Sequence, residues 1–298
     1  MALGQYLKLG GVVTDPSLPF FYPEDSRINK GSLLLVNFAN SLGYEGSNPP
    51  ITGTLVYNLA WRAAKAMIGT GDRTSLSLVA NVPFGAAEGK LEFTPKKGLH
   101  VITSQVNMGQ GKGFSMLIPP AIMAYLHQYS DTHQYYFRIS ERLTRQPDLN
   151  SGDDNRLVIA SNSGASGNYL ARMAKGGSLP NASTANSFGG SFSSQSATAL
   201  GNLFRNVATK AWTGTKQANP ADITNRFISV GPVGAYQSID VNKSSSTVLY
   251  EIYIEDLTVS GRTYAQAHAA ELAIHNADFG AGGRFSGDTI PTDPSTLP

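Results

Sequence analysis

The segment Val248–Thr263, VLYEIYIEDLTVSGRT, constrains this chain more than any other, because a strand, a turn and a helix start follow one another within it. Val248, Tyr250, Ile252 and Ile254 fall on one side of a period-two pattern, and Glu251 and Glu255 on the other. Such alternation predicts a strand with one face in a core and the other in water. Ser260-Gly261 breaks the strand, and Thr263 with Gln266 has the spacing of a capping box that opens a helix. A strand with two unlike faces needs other strands to pair with and a layer to pack on. The segment therefore predicts an antiparallel β domain with a helix on its rim, and it carries no catalytic signature of its own.

The rest of the chain supplies the partners. Residues 33–38 form a short apolar run, and residues 75–82, 90–94, 99–108, 114–118, 135–139, 156–161 and 226–230 are strand-like, most of them separated by glycine turns. Residues 55–68, LVYNLAWRAAKAMI, repeat apolar positions at helix spacing around Trp61, and Pro119-Pro120 opens a second short helical stretch. Roughly ten strands with few helices predict a β-sandwich or jelly roll. Residues 1–30, with Pro16, Pro19 and Pro23 and the aromatic cluster at 19–22, read as an N-terminal arm, 31–280 as the jelly-roll domain, and 281–298 as a C-terminal strap. Residues 176–204 contain no charged side chain and are rich in Gly, Ser and Asn. A loop so long is expected to be functional, ordered by a partner or disordered, and its lack of charge argues for order on contact with a neighbour.

Charged residues make up only 15% of the 298 residues, and few charges protect a surface poorly against association, so a homo-oligomer is expected. The net charge is +2 with no basic run, which removes the driving force for nucleic-acid binding. There is no cysteine, hence no disulfide, thiolate site or cysteine nucleophile. The first residues lack the long apolar core of a signal peptide, and no run approaches the ~18 apolar residues of a membrane span. A soluble protein made in the cytoplasm, without a membrane partner, is expected.

The block Tyr250–Tyr264, a following helix, and Gly282-Gly283-Arg284-Phe285 resemble the closing segment of concanavalin A-like (laminin-G-type) jelly rolls in virion proteins of tailed bacteriophages. The Pro119-Pro120 helical turn followed by the strand at 135–139 is similar in layout to the middle of that domain class. The specific part of the resemblance covers about fifty residues, the remainder fitting by strand count. It implies a particle-bound, oligomeric structural or receptor-facing protein and no particular catalytic residue.

Concanavalin-like folds also host glycoside hydrolases, and laminarinase-type enzymes carry Glu, Asp and Glu on alternate positions of one strand. Here the series is Glu251, Tyr253, Glu255, without the central Asp. On a regular strand the two glutamates lie ~13 Å apart, beyond the roughly 5–9.5 Å of a glycosidase pair. A wet strand face is expected instead, with no catalytic residue.

Asp148–Asn155 is an oxygen-rich turn that could hold calcium but lacks the closing Glu of an EF-hand loop, so a solvated hairpin turn is expected. His268, Glu271 and His275 share one helix face, which could present two imidazoles and a carboxylate to a metal. Their spacing is not HExxH, and a polar helix face is expected. Gly109–Gly113 fails as a phosphate loop because Lys112 is followed by glycine, and Gly164–Asn168 falls short of a serine-nucleophile motif. No metal and no cofactor are expected.

The expectation is thus a non-enzymatic structural protein of a tailed-phage particle, in its head decoration, collar, tail or baseplate. It would assemble with itself and with other virion proteins through the arms and through aromatic anchors such as Phe20, Phe21, Phe188 and Phe192. The alternative is a lectin-like module that binds host surface glycan through Trp61, Trp212 or Tyr253, and, behind it, a glycan hydrolase.

Overall fold

The computed structural model describes residues 25–148, 154–160, 169–174, 200–209, 226–233 and 240–298. The fold is mainly β: two antiparallel sheets packed as a sandwich, with twelve strands among the described residues. In the first sheet the order is β10 (Gly201–Ala208), β7 (Tyr135–Arg145), β12 (Ser246–Asp256), β5 (Leu99–Thr103) and β4 (Gly89–Phe93), and β1 (Ser32–Asn37) pairs with the second half of β12. The second sheet runs β2 (Leu55–Val56), β3 (Leu78–Asn81), β6 (Phe114–Leu117), β11 (Arg226–Val230), β8 (Asn155–Ala160) and β9 (Tyr169–Ala174).

The core lies between the sheets. Val36, Val101, Phe137, Ile139, Leu249, Ile252 and Ile254 from the first sheet meet Leu78, Phe114, Met116, Leu157, Ile159, Ile228 and Val230 from the second, all buried. Short helices close the edges: α1 (Trp61–Ile68), α2 (Pro120–Gln128) and the single turn α3 (Leu257–Ser260). The long helix α4 (Tyr264–Phe279) is placed against β7 and β10. Proline suits the first turn of α2, where its missing N–H would have had no partner. The expected capping box is present at α4: the Thr263 hydroxyl accepts from the Gln266 amide, and the Gln266 side chain accepts from the Thr263 amide.

Two expectations change. The helix expected over 55–68 occupies only its second half, because Leu55 and Val56 pair with β3 and Asn58 then fixes a turn. The Asn58 amide accepts from the amides of Leu35 and Ala60 and donates to the Leu33 carbonyl. The uncharged segment 176–204 ends inside β10, which pairs with β7 from Gly201 onward. Residues 176–199, the anchors Phe20, Phe21, Phe188 and Phe192, and Trp212 lie outside the described residues.

Candidate functional site

Strand β12 does not alternate as its letters suggest. Leu249 pairs with Glu141 of β7 and Glu251 with Ser140, so Tyr250 is an extra residue in a β-bulge. The bulge reverses the alternation. Leu249, Ile252 and Ile254 point into the inter-sheet core, while Val248 and Tyr250 join Phe285 in a separate apolar cluster on the outer side. Glu251, Tyr253 and Glu255 lie on this outer side too, and the expectation that it is wet is wrong: Glu251 is 1% exposed, and Tyr253 and Glu255 are 0% exposed. Three pieces of chain cover it: the lead-in at 25–31, helix α4, and the segment after α4.

The cover is fastened by charge. Arg27 in the lead-in donates to both oxygens of Glu251 at 2.8 and 3.0 Å and also binds Asp25. Arg138, opposite Tyr253 on β7, donates to Glu251 Oε2 at 2.9 Å. Arg284, just after α4, reaches Oε1 at 3.3 Å, and the Asn37 amide on β1 reaches the same oxygen at 2.9 Å. Glu255 is held in a two-pronged pair by Arg262. Burial opposes ionisation of Glu251, but the charges of Arg138 and Arg27 outweigh it and hold the carboxyl below its ordinary range.

Helix α4 sits on this layer by the stripe that was expected to be its polar outer face. Glu271 and His275 are buried, and the Glu271 carboxylate lies 3.6 Å from Arg138 Nε. His275 Nδ1 is 2.8 Å from the Ser140 hydroxyl, and its ring packs on Phe204 and Phe279. His268 instead stacks on Tyr264. His268 and His275 both meet the Phe204 ring while Glu271 faces Arg138, and the three side chains do not form a group that could hold a metal ion. Burial raises the Glu271 pKa against the pull of Arg138; burial, aided by Arg138, lowers that of His275 to about 4.

A second cluster closes one end of the sandwich between the sheets. Glu141 accepts from Arg156 at 2.7 Å and from Arg205, and the Thr247 hydroxyl donates to it at 3.1 Å. Asp154 accepts a two-pronged pair from Arg156 at 3.0 Å and a bond from Ser245 at 2.7 Å. Burial opposes ionisation of Glu141, yet the charges of Arg205 and Arg156 bring it to about 2. Asp154 therefore leaves the expected solvated turn: it is buried against an arginine. Residues 149–153 lie outside the described residues. Among the described residues no group of His, Cys, Asp or Glu could hold a metal ion, and no helix is long and apolar enough to cross a membrane.

The segment after α4 turns back along its own sheet. Tyr250 donates to Asp288 at 2.9 Å, Arg142 to the Asp288 carbonyl, Thr292 to Glu92 at 2.7 Å, and Arg145 to the carbonyls of Pro294 and Leu297. Gly109–Gly113 is a turn, with the Lys112 amide bonded to the Gly109 carbonyl. Gly164–Asn168 lies outside the described residues. Of the aromatics proposed for glycan, Tyr253 is buried with its hydroxyl on Ser32. Trp61 is partly buried against the core, with the Arg62 guanidinium 5.2 Å from its ring centre.

Sequence reasoning missed Arg27, Arg138, Arg284, Glu141, Arg156 and Arg205. A signal was present: Arg138 in YYFRIS and Arg205 in NLFRNV each stand alone among apolar neighbours, and a buried charge requires a partner. The chain matches no family model, no curated protein and no solved structure.

Proposed function

We propose that this chain is a non-enzymatic structural component of a tailed-phage particle, assembling with itself and with other virion proteins. One observation carries this reading: both glutamates of the signature strand are spent on fastening. Glu251 and Glu255 are buried under three covering segments and bound by Arg27, Arg138, Arg284 and Arg262. A glycosidase needs its two carboxyls beside a bound sugar, one of them free to exchange a proton. Here the same positions hold layers of the protein together. The low surface charge inferred from composition points the same way, as does Ile51, 73% exposed beside Pro49, Pro50 and Phe84.

The test is quantitative mass spectrometry of purified, salt-washed particles from the source phage. A fixed, symmetry-compatible number of copies per particle is the expected result. Loss of the chain on washing would overturn the proposal and turn attention to binding of host glycan. In the same preparation Ile51→Asp is expected to leave the isolated chain's stability within about 0.5 kcal/mol, as for an exposed site, while lowering the copies retained.

A further inference from the structure

The charges on the outer side of the first sheet form a chain of alternating sign. Asp25 binds Arg27, Arg27 binds Glu251, Glu251 binds Arg138, and Arg138 faces Glu271. The five residues belong to the lead-in, β12, β7 and α4, so the chain crosses from the first described residue to the last long helix. Arg27, Arg138, Glu251 and Glu271 are each at most 7% exposed. Their interactions are therefore screened far less than those of surface charges. We propose that this series is a coupling element: it ties the seating of the lead-in to the seating of α4, so that displacing one loosens the other.

The geometry supplies the differential contact that coupling needs. Arg27 makes no described bond to α4 or to the segment after it; it acts on Glu271 through the shared Glu251 and through its own charge. Glu251 Oε2 accepts from Arg27 and Arg138 together, and Oε1 from Arg27, Asn37 and Arg284. Withdrawing Arg27 removes two of these five bonds and leaves a buried carboxylate with less compensation. Arg138 and Arg284 must then take up the charge of Glu251. Arg138 is the residue whose charge also offsets the burial of Glu271, and Arg27 itself adds to that offset. With both weakened, Glu271 becomes costlier to bury and α4 is held less firmly. The reverse path is the same: without Glu271, Arg138 moves toward Glu251 and competes with Arg27 for Oε2.

Hydrogen exchange on the full chain, read by mass spectrometry, tests this. Arg27→Met is expected to speed exchange in Tyr264–Phe279 by about 5- to 150-fold, the usual range of coupling between sites, with β6 and β11 in the other sheet unchanged. Glu271→Gln is expected to speed exchange of the Ile28 and Gly31 amides, which are bonded within the lead-in. Changes confined to the substituted segment overturn the proposal, and so does an equal rise in every strand, which would show only a loss of global stability. Should Arg27→Met not fold, Arg27→Lys keeps the charge but loses the planar two-pronged contact. It is then expected to give a smaller rise in the same helix, and unchanged exchange there overturns the coupling equally.

Discussion

The two faces of β12 are equally buried and built on opposite principles. Its inner face, Leu249, Ile252 and Ile254, joins an apolar core in which any close-packed partner of the right volume serves. Its outer face, Glu251, Tyr253 and Glu255, meets arginines and hydroxyls, where each contact has one correct partner. The comparison teaches that polar letters on alternate positions state the chemistry of a face and leave its wetness open. An apolar face tolerates repacking; a face of paired charges fixes which segment covers it, at the risk that one lost partner strands another.

The largest effect is expected from Glu251→Leu. It leaves Arg27 and Arg138 buried with no shared carboxylate, and breaking buried pairs in this way costs about 3–5 kcal/mol. Urea unfolding measures it, and a loss no greater than that of a conservative core change would erase the contrast between the faces.

Next comes pH, through His275. With its pKa depressed to about 4 against an ordinary 6.5, the unfolded chain binds the proton first. The stability gained by a neutral His275 is complete above about pH 6.5 and is lost as pH falls toward 4. Glu271, with a raised pKa, works in the opposite direction, and Glu251, held low, adds its own loss only below its ordinary 4.5. Comparing wild type with His275→Gln isolates the histidine: wild type is expected to lose on the order of 2–3 kcal/mol more between pH 7 and 4. Parallel curves would show that the imidazole takes up its proton equally in the folded and the unfolded chain.

A smaller effect serves as the inner-face reference. Ile252→Val removes one methylene from the core and should cost about 0.5–1.5 kcal/mol, independent of pH. Of similar size, Thr263→Ala removes the cap of α4 and should cost about 1 kcal/mol. If instead it cost as much as Glu251→Leu, the cap and not the charges would hold the helix in place.

Much of the architecture was legible because it is written locally. The strand character of β12, the capping box at Thr263 and the proline start of α2 each depend on residues a few positions apart, and the structure has all three. Residues 55–68 misled because Leu55, Leu59 and Ala63 fit a helical stripe, while the decisive bonds of Asn58 go to β1, more than twenty residues away. β9 and β10 escaped notice because Arg172, Arg205 and Asn206 interrupt their apolar letters; β10 becomes a strand through its eight-residue register with β7. The outer layer was the least legible part. Glu251 and Arg27 are 224 positions apart, and only a lone charge in an apolar run hints that such a partner exists. The bulge at Tyr250 left no local mark either, since the alternation reads cleanly straight through it.

That bulge gives β12 an unusual sensitivity to length. Loops absorb the gain or loss of a residue at little cost, and an edge strand can slip outward. β12 is paired on both sides, with β7 along one edge and β5 then β1 along the other. Deleting any other residue of the strand would force one half of it to shift against β7, and deleting Tyr250, which would leave Leu249 and Glu251 as consecutive partners of Glu141 and Ser140, would remove the ring that packs between Phe279 and Phe285. Single-residue insertions and deletions in descendants of this sequence should therefore be scarce between Val248 and Asp256 and plentiful in the turns, even where substitutions are equally frequent in both.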